Sequence, residues 1–257
     1  MSIGFRAAAC LLAVLIFAAG WGPGASAEAA EAAAPERVFF LHCGGDNDKT
    51  TDSNNLYFQP VDGRTIPEVV FRAEFIPSAL RDYSNEAAQE RAETGMELIR
   101  RAKADGCGTI IVSAYSHGGM TAWFMDYQDV DCLGLIDAVV HIKKIGSDRD
   151  ILAAWVNRLL AVGAGGTDIL FFATNDKFNR TSDFVRSFVE LLEASAADPD
   201  FRGENGETIT AVAEDEYVIR SADGQSGAEL NLIRLDSSHG KACISAAETI
   251  AGLLAMD

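Results

Sequence analysis

Ser116 stands where an apolar run gives way to a stretch of helical composition, a position that suits a nucleophile. Residues 108–113 are rich in β-branched side chains and predict a buried strand, and residues 120–127 predict a helix. A serine at so sharp a turn is held in strained backbone angles, so the positions two before and two after it must be small. Those positions are Ala114 and Gly118. The pattern therefore predicts that Ser116 is a nucleophile for acyl transfer.

An activated serine also needs a base within reach, and an imidazole with a pKa near neutrality suits that task. His239 follows the last predicted strand and is the predicted base. Asp176 follows another predicted strand and is expected to orient the imidazole, although it could instead cap the next helix. Asp148 and Asp150 also follow a strand, but they are better placed to lead into the helix predicted at residues 150–162.

A glycine-rich loop, His-Cys-Gly-Gly, follows the first apolar run at residues 37–41. Acyl transfer needs N–H donors that are already aimed at the oxyanion of the tetrahedral intermediate. We expect one donor from the backbone of His117, directly after the nucleophile, and another from Cys43 or Gly44. The Cys43 thiol is an alternative nucleophile, but it lacks the strand–turn–helix context of Ser116.

The spacing of the remaining histidines does not indicate a metal centre. His42 is expected to brace the glycine-rich loop, and His141 is expected to be a core or edge group near the end of an apolar run. No histidine stands at ligand spacing from another, which argues against a zinc site. The polar loop at residues 46–64 carries several aspartates, but it lacks the glycine and the terminal glutamate of an EF-hand. We therefore predict no metal and no cofactor.

Continuous apolar runs alternate with segments of helical composition, and this order predicts a parallel sheet covered by helices on both faces. In such a sheet the active site forms from loops at the carboxyl ends of the strands, which is where the residues above lie. The predicted strands are residues 37–41, 69–75, 108–113, 133–142, 168–173 and 229–235, with an alternating segment at residues 208–220; the predicted helices are residues 85–104, 120–127, 150–162, 182–196 and 242–255.

The order Ser116, Asp176, His239, each directly after a predicted strand, resembles the α/β-hydrolase superfamily. The early His-x-Gly-Gly loop strengthens the resemblance, while Ala114 replaces the glycine that most of the family has there. The resemblance implies an α/β three-layer sandwich with a mostly parallel sheet. It also implies a serine esterase or lipase that forms an acyl-enzyme. Because little chain precedes residue 37, we expect the reduced N-terminal strands of the small members.

The chain lacks room for a large cap domain, since only residues 145–168 separate two of the predicted strands. We expect an open site for small-molecule or polymer esters, shaped by residues 46–64 and 208–220. A peptidase or an acyltransferase with the same triad is an alternative, because these enzymes differ in leaving group and in access of water. A non-catalytic binding protein on a hydrolase scaffold is a further alternative. The sequence leaves the oligomeric state open.

The first 27 residues have the features of a secretory signal peptide. Arg6 supplies a positive start, residues 7–19 are apolar, and a small-residue cleavage site precedes Glu28. The apolar stretch is too short for a transmembrane anchor, and the rest of the sequence holds no second hydrophobic span. We therefore expect a secreted or periplasmic protein without stable membrane insertion.

The chain that follows the signal peptide is strongly acidic. Residues 28–36 predict a flexible leader, and residues 37–257 predict a single domain. The net charge is −17, and it becomes −18 once the single charge of the signal peptide, Arg6, is lost. So acidic a protein repels nucleic acid and anionic membrane surfaces, and we expect neither as a partner.

Four cysteines follow the predicted signal peptide, an even number that suggests disulfides in an oxidising compartment. Four cysteines allow three sets of pairs. Cys107 and Cys132 each precede a predicted strand, at the amino edge of the sheet, whereas Cys43 and Cys243 lie at the carboxyl edge. Pairing by edge predicts the disulfides Cys107–Cys132 and Cys43–Cys243.

Overall fold

The computed structural model describes residues 36–44, 69–76, 84–139, 149–175, 180–243 and 245–246. Eight strands within them form one sheet: β1 Glu36–Cys43, β2 Val69–Ile76, β3 Thr109–Tyr115, β4 Cys132–Ile136, β5 Asp168–Thr174, β6 Thr208–Ala213, β7 Glu216–Arg220 and β8 Gly227–Leu235. Their order is β2-β1-β3-β4-β5-β8-β7-β6. The strands from β2 to β8 pair in parallel, and β7 and β6 continue the sheet antiparallel. The predicted α/β class with a mostly parallel sheet is confirmed.

Both faces of the sheet are covered by helical residues. The described α-helices are α1 Asn85–Ala104, α2 Gly118–Phe124, α3 Arg149–Ala164 and α4 Arg180–Ala197, and a 3₁₀ turn, His239–Lys241, follows β8. All four α-helices pack against one face, which presents side chains such as Phe39, Val112 and Phe171. Successive strand residues point to opposite faces. The residues next to these along each strand therefore point to the second face, and Ala242 and Ala246 cover that face.

Helix α1 delivers the chain to the strand that precedes the serine. The Ser84 hydroxyl accepts a hydrogen bond from the N–H of Ala87 at 3.2 Å and so caps the first turn. The helix ends at Ala104, and Gly106 follows it with a φ of 84°, an angle that costs glycine little. The predicted bounds of this helix, residues 85–104, are confirmed. Strand β3 begins shortly afterwards, and each of its residues is buried.

The alternating segment at residues 208–220 forms a hairpin that extends the sheet beyond β8. Strands β6 and β7 meet at a tight turn, where Asp215 has a φ of 58°. The Arg234 guanidinium donates to both carboxylate oxygens of Asp215, at 2.9 and 2.8 Å, and to Glu193 of α4 at 2.8 Å. These charges tie the hairpin to β8 and to the helix layer.

The predicted disulfides are wrong, because Cys43, Cys107, Cys132 and Cys243 are all free. The packing of the four side chains gives the reason. Cys107 packs against the face that holds the four α-helices, whereas Cys132 packs against the opposite face. Cys43 and Cys243 are separated by the sheet in the same way. Two thiols at the same edge cannot form a disulfide when they pack on opposite faces of the sheet.

The predicted signal peptide, residues 1–27, lies outside the described residues, as does the leader up to residue 35. Glu36, predicted as the last residue of the leader, already belongs to β1. Of the helix predicted at residues 242–255, the structure describes only the start. Within the part of the chain that the structure describes, no helix is long and apolar enough to cross a membrane.

Candidate active site

The turn between β3 and α2 carries Ser116 in a left-handed conformation, with a φ of 51°. Residues other than glycine rarely adopt such an angle, so the position is strained. Backbone hydrogen bonds hold it there: the Ser116 N–H donates to Ile136 at 3.0 Å, and its carbonyl accepts from Gly119 and Val139 at 3.1 and 2.8 Å. A buried strand, a strained serine and a helix thus follow one another, which is the arrangement of a nucleophile elbow.

Close packing requires the small residues around the serine. A Cβ on Gly118 would lie 2.1 Å from the carbonyl oxygen of Cys43, at the end of β1. A Cβ on Gly119 would lie 2.6 Å from the carbonyl oxygen of Val139, just after β4. Ala114 has no exposed surface in β3. The elbow therefore fits between the ends of the two strands that flank β3, and only small side chains leave room for it.

His239 reaches the serine from the short turn that follows β8. Its Nε2 lies 3.0 Å from Ser116 Oγ, within the distance that a general base requires. The turn closes with a hydrogen bond from the Lys241 N–H to the Ser238 carbonyl at 2.9 Å. The His239 side chain is 17% exposed, so the imidazole lies at the surface end of an otherwise buried site.

Asp137 binds the other nitrogen of the same imidazole, with 2.9 Å between its Oδ2 and His239 Nδ1. The carboxylate is fully buried and also accepts the N–H of Thr174 at 2.8 Å and the Thr174 hydroxyl at 2.6 Å. Such donors offset the cost of burying a charge. A carboxylate at Nδ1 favours the tautomer with its proton there, which makes Nε2 the acceptor for the proton of the serine.

The acid predicted from the sequence, Asp176, lies outside the described residues, and the carboxylate found against His239 is that of Asp137. Strand β4 ends at Ile136, well before the end of the run predicted at residues 133–142, because Asp137 turns the chain with a φ of 43°. Asp137 thus stands directly after a strand, and the order Ser, Asp, His is kept. The signal that could have found it is a lone acid in an apolar run, since a buried carboxylate needs hydrogen-bond partners.

The parallel part of the sheet, with the elbow at the carboxyl end of β3, decides the architecture. The fold is α/β-hydrolase-like. Neither protein-family models nor curated proteins match the chain. Among solved structures, the chain is similar to ferric enterobactin esterase from Salmonella typhimurium, with 14% sequence identity and a TM-score of 0.48. The alignment covers 87% of this chain and 51% of that esterase, so this chain spans about half the length of that protein.

The residues predicted as oxyanion donors lie at two places. His117 is the N-cap residue of α2, directly after the serine. The N–H of Gly44 donates to the carbonyl of Ile76 at 3.0 Å and so continues the pairing of β1 with β2. In this structure the Gly44 donor is engaged within the sheet and not aimed at a substrate. Cys43 adjoins the elbow through its carbonyl, which packs against Gly118.

The thiol of Cys43 is a poor candidate for the alternative nucleophile. Its side chain is 1% exposed, on the face of the sheet that the α-helices cover. Burial raises the pKa of the Cys43 thiol to about 12, and the positive charge of Arg91 opposes the shift only in part. Because the thiolate is the reactive form, this cysteine is inert near neutral pH.

His42 was predicted to brace the glycine-rich loop, and in the structure its side chain connects β1 to β3. Its Nδ1 lies 2.6 Å from the Ser113 hydroxyl, and burial lowers the pKa of the imidazole to about 3. His141 and Asp148 lie outside the described residues, and Asp150 is exposed in the first turn of α3. Among the residues that the structure describes, no group of three or more His, Cys, Asp or Glu side chains could hold a metal ion.

Proposed function

We propose that this protein is a secreted serine hydrolase that cleaves carboxylic esters through an acyl-enzyme. The observation that carries the proposal is the unbroken line of contacts from Ser116 Oγ to His239 Nε2, 3.0 Å, and from His239 Nδ1 to Asp137 Oδ2, 2.9 Å. Nucleophilic catalysis by serine needs this order of groups at an elbow. Secretion is supported by the signal-peptide features of residues 1–27.

In the proposed acylation, Ser116 Oγ attacks the carbonyl carbon of the ester while His239 Nε2 takes the hydroxyl proton. The carbonyl electrons move to the oxygen, and the backbone N–H of His117 stabilises the oxyanion. When the intermediate collapses, the bond to the alkoxy oxygen breaks and Nε2 returns the proton to the leaving alcohol. Asp137 stays a carboxylate throughout and stabilises the imidazolium through Nδ1–H.

Deacylation repeats these steps with water. His239 Nε2 takes a proton from the water as its oxygen attacks the carbonyl carbon of acyl-Ser116. The second tetrahedral intermediate then collapses, the bond to Oγ breaks, and Nε2 returns the proton to Ser116. The carboxylic acid leaves, and the enzyme regains its starting state.

The proposed substrate class is supported by the described connection between β4 and β5. Between β4 and β5 the described residues contain one helix, α3, which packs against the sheet and its neighbouring helices. This arrangement supports an open site without a cap domain at that connection. An open site suits small-molecule or polymer esters better than long acyl chains that need a deep tunnel.

A fluorophosphonate probe tests the proposal, because it phosphonylates only a serine that a base activates. Labelling of the wild type at Ser116, located by peptide mass spectrometry, is expected, and Ser116→Ala should abolish it. Ser113→Ala is the matched control, since it removes a buried hydroxyl from β3, three residues before Ser116, that contacts His42 and not His239. Unlabelled wild type, or equal labelling of Ser116→Ala, would refute the proposal.

A panel of p-nitrophenyl esters of graded chain length then defines the ester, with matched p-nitroanilides and added alcohol acceptors. Ester hydrolysis with a preference for short chains is expected. Faster anilide cleavage would indicate a peptidase, and ester products made from the added alcohol would indicate an acyltransferase. Both outcomes would keep the triad and overturn the ester assignment.

A further inference from the structure

Tyr115, the residue directly before the nucleophile, contacts His239 in two ways. Its ring stacks on the imidazole, with 5.0 Å between ring centroids and 26° between planes. Its hydroxyl donates a hydrogen bond to the backbone carbonyl of His239 at 2.8 Å. We propose that Tyr115 is a positioning residue that holds the imidazole where Nε2 faces Ser116. This inference rests on the proposed function and deepens it.

The need for such a restraint follows from the hydrogen bond between the imidazole and Asp137. The hydrogen bond to Asp137 holds the ring at its Nδ1 edge, but a hydrogen bond at the edge of a ring opposes rotation of the ring plane only weakly. A second flat ring against the imidazole face opposes that rotation. A displacement of about 1 Å at a catalytic group can lower the rate about 100-fold. The stack therefore bears directly on the distance between Nε2 and Ser116 Oγ.

The hydroxyl restrains the backbone of the same turn. The turn spans three residues, and its N-cap residue, Ser238, makes no side-chain capping hydrogen bond. The carbonyl of His239 accepts from the N–H of Ala242 as well as from the Tyr115 hydroxyl. The tyrosine thus ties the turn to the end of β3. Because the next residue along the chain is Ser116, one strand end sets the positions of both nucleophile and base.

The tyrosine is suited to a fixed role because its phenol stays neutral. Tyr115 is 8% exposed, and burial raises the pKa of its hydroxyl, with smaller contributions from negative charge at Cys243 and Asp137. A protonated phenol is a hydrogen-bond donor. The bond to the carbonyl of His239 therefore persists through neutral and mildly alkaline pH.

Two substitutions separate the contribution of the ring from that of the hydroxyl. Tyr115→Phe keeps the stack and removes the hydrogen bond, whereas Tyr115→Leu removes both. Exhaustive labelling with a fluorescent fluorophosphonate counts the competent sites in each preparation. The labelling rate constant, and kcat and KM for p-nitrophenyl acetate, are then expressed per competent site.

Tyr127 offers a matched control on the opposite face of the sheet. It is 7% exposed, and its hydroxyl donates to the carbonyl of Ala122 at 2.7 Å. Tyr127→Phe therefore removes the same kind of hydrogen bond from a buried tyrosine without touching the His239 turn. The melting temperature of each variant reports how much the substitution disturbs the fold.

We expect the labelling rate constant and kcat per site to fall about 5-fold in Tyr115→Phe and about 100-fold in Tyr115→Leu. KM should stay near the wild-type value in both, and Tyr127→Phe should match the wild type per site. Higher activity in Tyr115→Phe than in Tyr115→Leu would show that the aromatic ring alone provides most of the positioning.

Per-site constants equal to the wild type in the Tyr115 variants, with only the melting temperature or the number of sites reduced, would overturn the inference. A purely structural role moves only those two quantities. If Tyr115→Leu does not fold, Tyr115→Phe decides by the same criterion. Wild-type protein that is not labelled at Ser116 would instead refute the proposed function, and this inference with it.

Discussion

At the scale of single residues, burial and hydrogen bonding single out the acid that serves the histidine. Asp137 has no exposed surface, and its oxygens are bound by both donors of Thr174 and by the His239 imidazole. A carboxylate held so rigidly sets the tautomer of the ring and the position of its Nδ1 atom. In the proposed mechanism it also stabilises the imidazolium that forms when Ser116 loses its proton.

Asp137→Asn tests that role. The amide keeps the size of the side chain, but it favours the wrong tautomer and cannot stabilise the imidazolium. We expect kcat for p-nitrophenyl acetate to fall about 10⁴-fold, with a small change in KM. Circular dichroism and the melting temperature check that the variant folds.

Asp176→Asn is the matched control, because Asp176 is the acid that the sequence pattern favoured. We expect it to retain nearly full activity. The reverse result, a large loss in Asp176→Asn and little change in Asp137→Asn, would show that Asp176 is the acid that serves His239.

At the scale of elements, the site depends on how closely the elbow approaches the strands beside it. The start of α2 lies against the end of β1 at Gly118 and against the segment after β4 at Gly119. Both contacts are between backbone atoms, which cannot move aside as a flexible side chain can. The strands on either side thereby hold the strained turn at Ser116, and the loops that complete the site start from the same strand ends.

Gly118→Ala should damage fold and activity together. The added Cβ would lie 2.1 Å from the Cys43 carbonyl oxygen, so either β1 or α2 must shift. We expect the free energy of unfolding to fall by about 1–3 kcal/mol, measured by urea denaturation, with a loss of fluorophosphonate labelling.

Gly134→Ala provides the comparison, because a Cβ there meets its nearest neighbour, the Cβ of Ser113, at 3.5 Å, an ordinary contact. Its stability should stay within about 1 kcal/mol of the wild type. Equal stability and labelling in Gly118→Ala and Gly134→Ala would contradict the close approach of elbow and strand.

At the scale of the whole molecule, the sheet lies between two packed layers. Polar side chains within these layers are shielded from water, so they need hydrogen-bond partners inside the protein. His42 and Ser113 are direct neighbours in the β1–β3 register, and the ring of His42 has no exposed surface. Burial holds the pKa of this imidazole at about 3, against 6.5 for an exposed histidine. The folded protein therefore keeps His42 neutral where the unfolded chain binds a proton.

This difference predicts a pH-dependent stability. The stabilising contribution is fully present above pH 6.5 and is lost as the pH falls towards 3, because protons bind to the unfolded chain first. Each pH unit in that window lowers the free energy of unfolding by about 1.4 kcal/mol. His42→Asn keeps a hydrogen-bonding group near Ser113 but does not titrate.

Urea denaturation of the wild type and His42→Asn between pH 7.5 and pH 5 measures the effect. The stability advantage of the wild type should shrink by about 2 kcal/mol over that range. Parallel stability curves would contradict the buried, neutral state of His42. Should the variant not fold, the His42 resonances of the wild type, followed by NMR, should show no titration above pH 5.

The sequence by itself determined the features that depend on neighbouring residues. The apolar run before Ser116, the small residues around it and the helix after it are local, so the elbow could be predicted. The bounds of α1 and the position of His239 after the last strand followed from periodicity and from chain order for the same reason.

Only the tertiary structure decided what depends on residues far apart in the chain. Asp137 and His239 are 102 residues apart, and a lone acid in an apolar run does not by itself show that β4 ends there or which histidine the acid meets. The face of the sheet on which each cysteine packs depends on the packing of the whole chain, and the hydrogen bond of the Gly44 N–H depends on the pairing of β1 with β2. Register and strand phase are set by packing across the sheet, which a single run of residues does not encode.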